Sequence, residues 1–184
     1  KICTKKLSKN LNQMMKPKPA AFLDRDGTIN IDQGYVYKSK DFIWTKDAIE
    51  ALKYLYNKNF YIFIVTNQSG IAREYYTEND VNELHKYINK ELKQHNIKIH
   101  DFFYSPYHPN GVSNKYDHLA NLRKPNNGML KLADNKWRIE KSKSFMIGDK
   151  LSDVRCGKSF GIKSFLYDSN VSLLHFVKNI VENF

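Results

Sequence analysis

Three short strand candidates limit what this chain can fold into: the unbroken apolar runs Ala20 to Leu23 and Phe60 to Val65, and Ser144 to Ile147, apolar after its serine. Runs without polar alternation suit strands buried on both faces, which is the environment of a parallel sheet. Between the runs the apolar spacing becomes helical. Asp47 to Lys58 puts Ile49, Leu52 and Leu55 on one face, and Glu78 to Gln94 does so with Val81, Leu84, Ile88 and Leu92. Thr77-Glu78-Asn79-Asp80 reads as a helix start, and a last helix is expected near Val171 to Val181. Parallel strands need crossover helices, so the alternation predicts an α/β protein with a doubly wound parallel sheet. At 184 residues the chain fits one domain.

The residues just past each run carry the chemistry. Asp24 falls at the carboxyl end of the first strand, where open α/β sheets place their ligands, and Asp26 points the same way across one extended residue. Gly27 lets the chain turn away. An ionised carboxylate can attack phosphorus while a protonated neighbour gives its proton to the departing oxygen. A cation such as Mg²⁺ would offset the repulsion between these acids and an anionic substrate. Alone, Asp-x-Asp-Gly is also the sequence of a simple turn or a cation-binding loop.

Three later segments join it. The second run ends in Thr66-Asn67-Gln68-Ser69-Gly70, hydroxyl and amide groups able to donate to phosphate oxygens, ahead of a helix-like segment. Arg123-Lys124-Pro125 offers a compact ammonium for a phosphoryl group and a planar fork for a second anion. The third run delivers Gly148-Asp149-Lys150-Leu151-Ser152-Asp153. Singly, each has an ordinary reading: Thr66 as a helix cap, Arg123 and Lys124 as solvated charges, Asp149 as an N-cap.

Together, in this order, the segments resemble the four motifs of the haloacid dehalogenase (HAD) superfamily of phosphotransferases. The stretches Phe-Leu-Asp-Arg-Asp-Gly-Thr-Ile-Asn, Val-Thr-Asn-Gln-Ser-Gly-Ile-Ala-Arg and Arg-Lys-Pro-Asn-Asn-Gly-Met-Leu narrow the likeness to the branch that dephosphorylates heptose 1,7-bisphosphate, close to the histidinol-phosphate phosphatases. The resemblance runs from about Pro19 to the chain end. It implies a HAD-like, Rossmann-like fold and Mg²⁺-dependent removal of the 7-phosphate of a heptose bisphosphate, feeding nucleotide-activated heptose for lipopolysaccharide or capsule. Asp24 would be the nucleophile that becomes phosphoaspartate, and Asp26 the general acid that later activates water. Thr66 and Lys124 would steady the phosphoryl group. Asp24, the main-chain carbonyl of Asp26 and Asp149 would ligate Mg²⁺, with Asp153 supporting Lys124 or the metal's water shell. Substrate contacts would come from Asp32, Gln33, Gly34, Tyr35, Asn67, Gln68, Ser69, Arg123 and Lys150.

Many members of this branch carry a structural zinc loop. Here the corresponding positions hold Ser105, Tyr107, Ala120 and Leu122, so no thiolate is available and no zinc is expected. His108 and His118 remain, and two imidazoles without soft partners read as surface or packing residues. Tyr107, Tyr116 and Leu119 are expected to hold the loop from Ser105 to Lys124 instead. The chain between the first three motifs is too short for a separate cap domain, so only loops can cover the site. Selectivity is left to Tyr35, Arg123 and that loop.

The net charge of +11 raises the question of nucleic acid, as a 3′-phosphate substrate or a merely bound ligand. The lysines are dispersed along helices without a basic-aromatic module, so a small sugar bisphosphate is the expected partner, with no nucleic acid and no membrane. A monomer is expected. Part of the excess lies in residues 1–18, read as a mobile basic tail or linker before a domain at 19–184. Cys3 and Cys156 show no disulfide or redox spacing, which makes a cytoplasmic location the expectation.

Overall fold

In the computed structural model, residues 16–112 and 114–184 are described. The basic lead assigned to residues 1–18 falls mostly outside them. Lys18 is tied to the body: its amide donates to Arg138 O at 3.3 Å, its carbonyl accepts from Glu140 N at 2.9 Å, and its ammonium reaches Asn59 Oδ1 at 2.9 Å.

Five parallel strands form one sheet in the order β3-β2-β1-β4-β5. They are β1 (Ala20–Leu23), β2 (Tyr61–Asn67), β3 (Asp101–Ser105), β4 (Phe145–Gly148) and β5 (Lys163–Leu166). Helices α1 (Ala48–Asn57), α2 (Glu78–Lys93), α3 (Gly128–Trp137), α4 (Leu151–Phe160) and α5 (Leu173–Glu182) make the crossovers and the last layer. The sheet is wound outward from β1 to β2 and β3, then resumes on the other side with β4. The winding therefore reverses between β1 and β4, and a crevice opens there at the carboxyl ends of the strands.

Alternation along the strands divides the core into two faces. Ala21, Leu23, Ile62, Ile64, Phe145 and Ile147 pack with Leu52 and Leu55 of α1, Leu84 and Ile88 of α2, and Leu173 and Val177 of α5. Ala20, Phe22, Phe63, Val65 and Met146 face the other way, against Met129, Leu130 and Ala133 of α3 and Cys156 and Phe160 of α4. Both faces are covered, which is why these strands read as continuous apolar runs. The α2 start is a capping box in which Thr77 Oγ1 accepts from Asp80 N and Asp80 Oδ2 accepts from Thr77 N.

The expected elements appear within a residue or two, and four features differ. The second strand continues through Thr66 and Asn67, because both pair with Tyr104 and Ser105 of β3. Turns rather than a helix come after it, and α2 begins only at Glu78. Lys124 lies on a loop after a 3-10 helix (Asn114–Leu122), an element that the sequence does not announce. Strand β5 has no signal in the sequence, because an edge strand of sequence Lys-Ser-Phe-Leu lacks the apolar run that marks a central one. Among the described residues no separate cap domain stands over the sheet.

Replacing Leu52, which is fully buried, with Ala should destabilise the protein by about 2–5 kcal/mol through a cavity between α1 and the sheet. Urea unfolding of the variant beside the parent measures this.

Candidate active site

Strand β1 still pairs with β4 where the chain reaches the site: Asp24 N donates to Ile147 O at 2.9 Å. This fixes the Asp24 backbone before the chain turns at Gly27, whose φ is +83°. Arg25 points into the interior and is fully buried, so Asp24 and Asp26 fall on the site side.

The two carboxylates line one cavity of about 230 Å³ yet have different partners. Asp24 Oδ1 accepts from Arg25 N at 2.7 Å and pairs with Lys124 Nζ at 2.8 Å. Asp26 is gripped by Arg25, whose Nη2 donates to Oδ2 at 2.8 Å and to Oδ1 at 3.0 Å. Asn30 Nδ2 donates to Asp26 Oδ1 and Gln68 Nε2 to Asp26 Oδ2, each at 3.0 Å. Neighbours in sequence are thus held in unlike electrostatic settings.

Lys124 Nζ sits at the centre of the crevice, 2.8 Å from Asp24 Oδ1, 2.6 Å from Asp153 Oδ1, and 2.8 Å from Val65 O, to which it donates. Burial alone would lower the pKa of this ammonium, but the carboxylates of Asp24 and Asp153 more than offset it and raise the value. Burial pushes the Asp24 carboxyl up to about 7, with Asp153 and Asp26 adding to the rise and Lys124 opposing it. The loop carrying Lys124 is clamped by Asn67, whose Nδ2 donates to Lys124 O at 3.1 Å and whose Oδ1 accepts from Lys124 N at 3.0 Å. The Asn67 amide is committed to this clamp, although the residue also lines the cavity.

Carboxylate oxygens of Asp24, Asp149 and Asp153 lie within 4.8 Å of one another, a spacing that one divalent cation can bridge. Asp149 Oδ1 is buried without a hydrogen-bond partner, the condition of a ligand oxygen directed at a cation. Burial, then the repulsion of Asp153, raises the Asp149 pKa against the pull of Lys150, so an added positive charge would be favourable there. Close backbone approach makes the cluster possible. A Cβ on Gly27 would lie 2.4 Å from Asp149 Oδ2, and one on Gly148 would lie 2.3 Å from Asp153 Cγ.

Of the other residues marked in the sequence, Asp32, Gly34, Tyr35, Thr66, Gln68, Ser69 and Lys150 line the same cavity. Lys150 Nζ donates to Asp32 Oδ2 at 3.2 Å, and Gly34 N to Asp32 Oδ1 at 3.0 Å, which folds the 32–35 loop toward the site. Gln33 is exposed and outside the cavity lining, and Arg123 stands outside it too, with Nη1 donating to Tyr107 O at 3.2 Å. A larger cleft of about 690 Å³ opens on the far side of Asp32 and Asp149, toward Lys46 and Asp168. Asp24, Asp26 and Lys124 converge in the smaller cavity, the candidate site, while Asp149 lines the larger cleft on its border.

The loop from Ser105 to Lys124 is held as expected, by aromatic packing. Tyr107, Tyr116 and Leu119 join Ile71, Ala72, Tyr76 and Val81 in one cluster. Glu78 accepts from Tyr104 at 2.9 Å and from Tyr116 at 3.2 Å.

Three contributors lie outside the residues marked in the sequence. Arg25 and Asn30 hold Asp26, and Tyr76 donates to Gln68 Oε1 at 2.7 Å, fixing the amide so that Nε2 faces Asp26 and Thr66. Burial raises the Tyr76 hydroxyl to about 12, so it stays a donor at neutral pH. Arg25 lies between two marked acids, and a cation enclosed by an apolar run and two carboxylates was the available signal. Tyr76 gave none, because its contact depends on the turn between β2 and α2.

A carboxylate pair on the central strand, a hydroxyl on β2, a looped lysine and an acidic pair after β4 define a HAD-type phosphatase, a phosphoric monoester hydrolase. The chain belongs to that superfamily, and to the family described as polynucleotide kinase 3 phosphatase, which matches it over residues 19–180. It is 37% identical over 164 residues to a D-glycero-beta-D-manno-heptose-1,7-bisphosphate 7-phosphatase of Rhodopseudomonas palustris, covering 89% of this chain and 91% of the relative. A Photorhabdus laumondii enzyme named for the alpha anomer is 39% identical, over 77% of this chain and 78% of the relative. The D,D-heptose 1,7-bisphosphate phosphatase of B. bronchiseptica, solved with magnesium and phosphate, shares the fold with a TM-score of 0.78 at 20% identity, over 90% and 99% of the two chains.

Gly27→Ala should displace Asp149 without replacing any charged residue, because the methyl both strains the positive φ and collides with the Asp149 carboxylate. The Mg²⁺ concentration for half-maximal activity should rise roughly tenfold or more in a metal titration of phosphate release.

Proposed function

We propose that the chain is a Mg²⁺-dependent phosphatase that removes the 7-phosphate of D-glycero-D-manno-heptose 1,7-bisphosphate, in the formation of nucleotide-activated heptose for lipopolysaccharide or capsule. The observation that carries the chemistry is the placement of Asp24, 2.8 Å from Lys124 and beside Asp149 and Asp153, while Asp26 is held separately. The names of the similar enzymes support the sugar.

In this reading an Asp24 carboxylate oxygen attacks phosphorus, and the bond from phosphorus to the sugar oxygen breaks. Asp26 gives its proton to that oxygen, and the sugar leaves as an alcohol. Asp26 then takes a proton from water, whose oxygen attacks the phosphoaspartate, releases inorganic phosphate and restores Asp24. Lys124 and Thr66 donate to the phosphoryl oxygens throughout. Arg25, Asn30 and Gln68 orient Asp26, and Asn67 keeps Lys124 in place. Asp24, Asp149 and the main-chain carbonyl of Asp26 would hold Mg²⁺, which when bound would supply charge neutralisation and in-line orientation. Asp153 anchors Lys124 and borders the metal site.

Zinc has no part in this reading, since Ser105, Tyr107, Ala120 and Leu122 stand where thiolate and imidazole ligands would be needed. We take the enzyme to act as a cytoplasmic monomer on a small molecule, without nucleic acid. Among the described residues no helix is long and apolar enough to cross a membrane, and Cys156 is a buried free thiol.

Purified protein with Mg²⁺ should release phosphate from one or both anomers of the bisphosphate faster than from histidinol phosphate or a 3′-phosphorylated oligonucleotide. A reversed ranking overturns the sugar assignment. Asp24→Asn should lower kcat at least ~10³-fold while unfolding as the parent does, and activity surviving that change would refute the covalent route.

A further inference from the structure

The larger cleft beside the catalytic cavity is acidic on a basic protein. The chain carries a formal charge of +11, yet among the described residues the cleft is lined by three carboxylates, Asp32, Asp149 and Asp168, and one ammonium, Lys46. The catalytic cavity also holds carboxylates, but Lys124 and Lys150 stand among them. Lys150 Nζ sits 3.2 Å from Asp32 Oδ2 and 3.7 Å from Asp149 Oδ2, and Lys150 lines the cavity and not the cleft. The wall between the two openings therefore shows an ammonium to one side and carboxylates to the other.

The acidic cluster that fits a divalent cation borders both openings. Asp24 lines the cavity, Asp149 lines the cleft, and Asp153 is fully buried. Gly27 lines the cleft as well, and its missing Cβ leaves the Asp149 carboxylate open there, since a methyl would lie 2.4 Å from Oδ2. Asp149 Oδ1 is buried without a hydrogen-bond partner, which independently marks an oxygen directed at a cation. On the solvent side Asp168 is exposed, and its Oδ1 accepts from Asn170 N at 2.9 Å and from Asn170 Nδ2 at 2.8 Å, so its charge is held in place. In the proposed reaction a sugar phosphate fills the cavity and blocks that approach to the cluster, while the cleft stays open to solvent.

We propose that the larger cleft is the route by which Mg²⁺ reaches and leaves the acidic cluster, with Asp168 as the carboxylate that draws the hydrated ion in. The proposal rests on the Mg²⁺-dependent reading above. Anion and cation then use separate openings: the lysines attract the phosphate ester into the cavity, and the carboxylates concentrate the cation in the cleft. A route acts on both rates of metal exchange and leaves the equilibrium where it was, which separates it from a binding site.

Mn²⁺ serves as the probe, its affinity read by electron paramagnetic resonance and its release by stopped-flow mixing with a chelator. Asp168 and Ser169 are exposed, and both line the cleft. Ser169→Trp, a plug in the cleft, should slow Mn²⁺ release about fivefold or more while the dissociation constant stays within about twofold of the parent's. Asp168→Lys should lower the association rate several-fold at low salt, and the difference should shrink at high salt as the charges are screened. An unchanged release rate in Ser169→Trp overturns the route. Should that variant fail to fold, an unchanged low-salt association rate in Asp168→Lys overturns it. Asp149→Asn tests the metal site itself: Mn²⁺ that binds this variant as tightly as the parent refutes the Mg²⁺ reading, and the route with it.

Discussion

Everything at the reaction centre depends on one buried ammonium. Lys124 is in contact with two carboxylates and a strand carbonyl, in a place with almost no solvent. Its removal would leave Asp24 and Asp153 as uncompensated charges, at a cost of about 3–5 kcal/mol for a pair so enclosed. In the proposed reaction the same contact favours the ionised form of Asp24 that would attack phosphorus. Stability and reactivity thus share a single ion pair, which explains the effort spent on fixing it: Asn67 grips its backbone from both sides.

The sheet winding makes that ion pair possible. Because the order reverses between β1 and β4, no helix covers the crevice between them, and side chains from β1, β2 and the turn after β4 converge there. Gly27 and Gly148 then let carboxylates approach the backbone more closely than any Cβ would allow. The acidic cluster is a product of topology and of two missing side chains as much as of the acids themselves.

The central strands and the acids at their ends were legible in the sequence because burial on both faces writes an unbroken apolar run, and the run stops where the chemistry starts. Leu52 and Leu55, and Leu84 and Ile88, announced their helices by spacing alone. Strand β5 was not legible, since an edge position relaxes the demand for apolar residues. Arg123 was legible as a cation but not as a donor to Tyr107 O, because that contact depends on how the loop after β3 folds back. Tyr76, Gln68 and Asp26 form a chain of hydrogen bonds across residues far apart in sequence, and no local pattern encodes it. Asn67 was singled out for its amide, but its role as a clamp on Lys124 required the fold.

Among the described residues no cap domain stands over the site, and in the proposed reaction this bears on turnover. In enzymes roofed by a moving lid, opening and closing often limit the rate, and bulk solvent is shut out while the intermediate exists. Here the mouth is bordered by Tyr35, Ser69 and Lys150 and stays in contact with solvent, so the dephosphorylated product can diffuse away without a hinge motion. In the proposed covalent route, the acyl phosphate left on Asp24 would then be open to water. An uncovered mouth of this kind favours hydrolysis over transfer to a second alcohol.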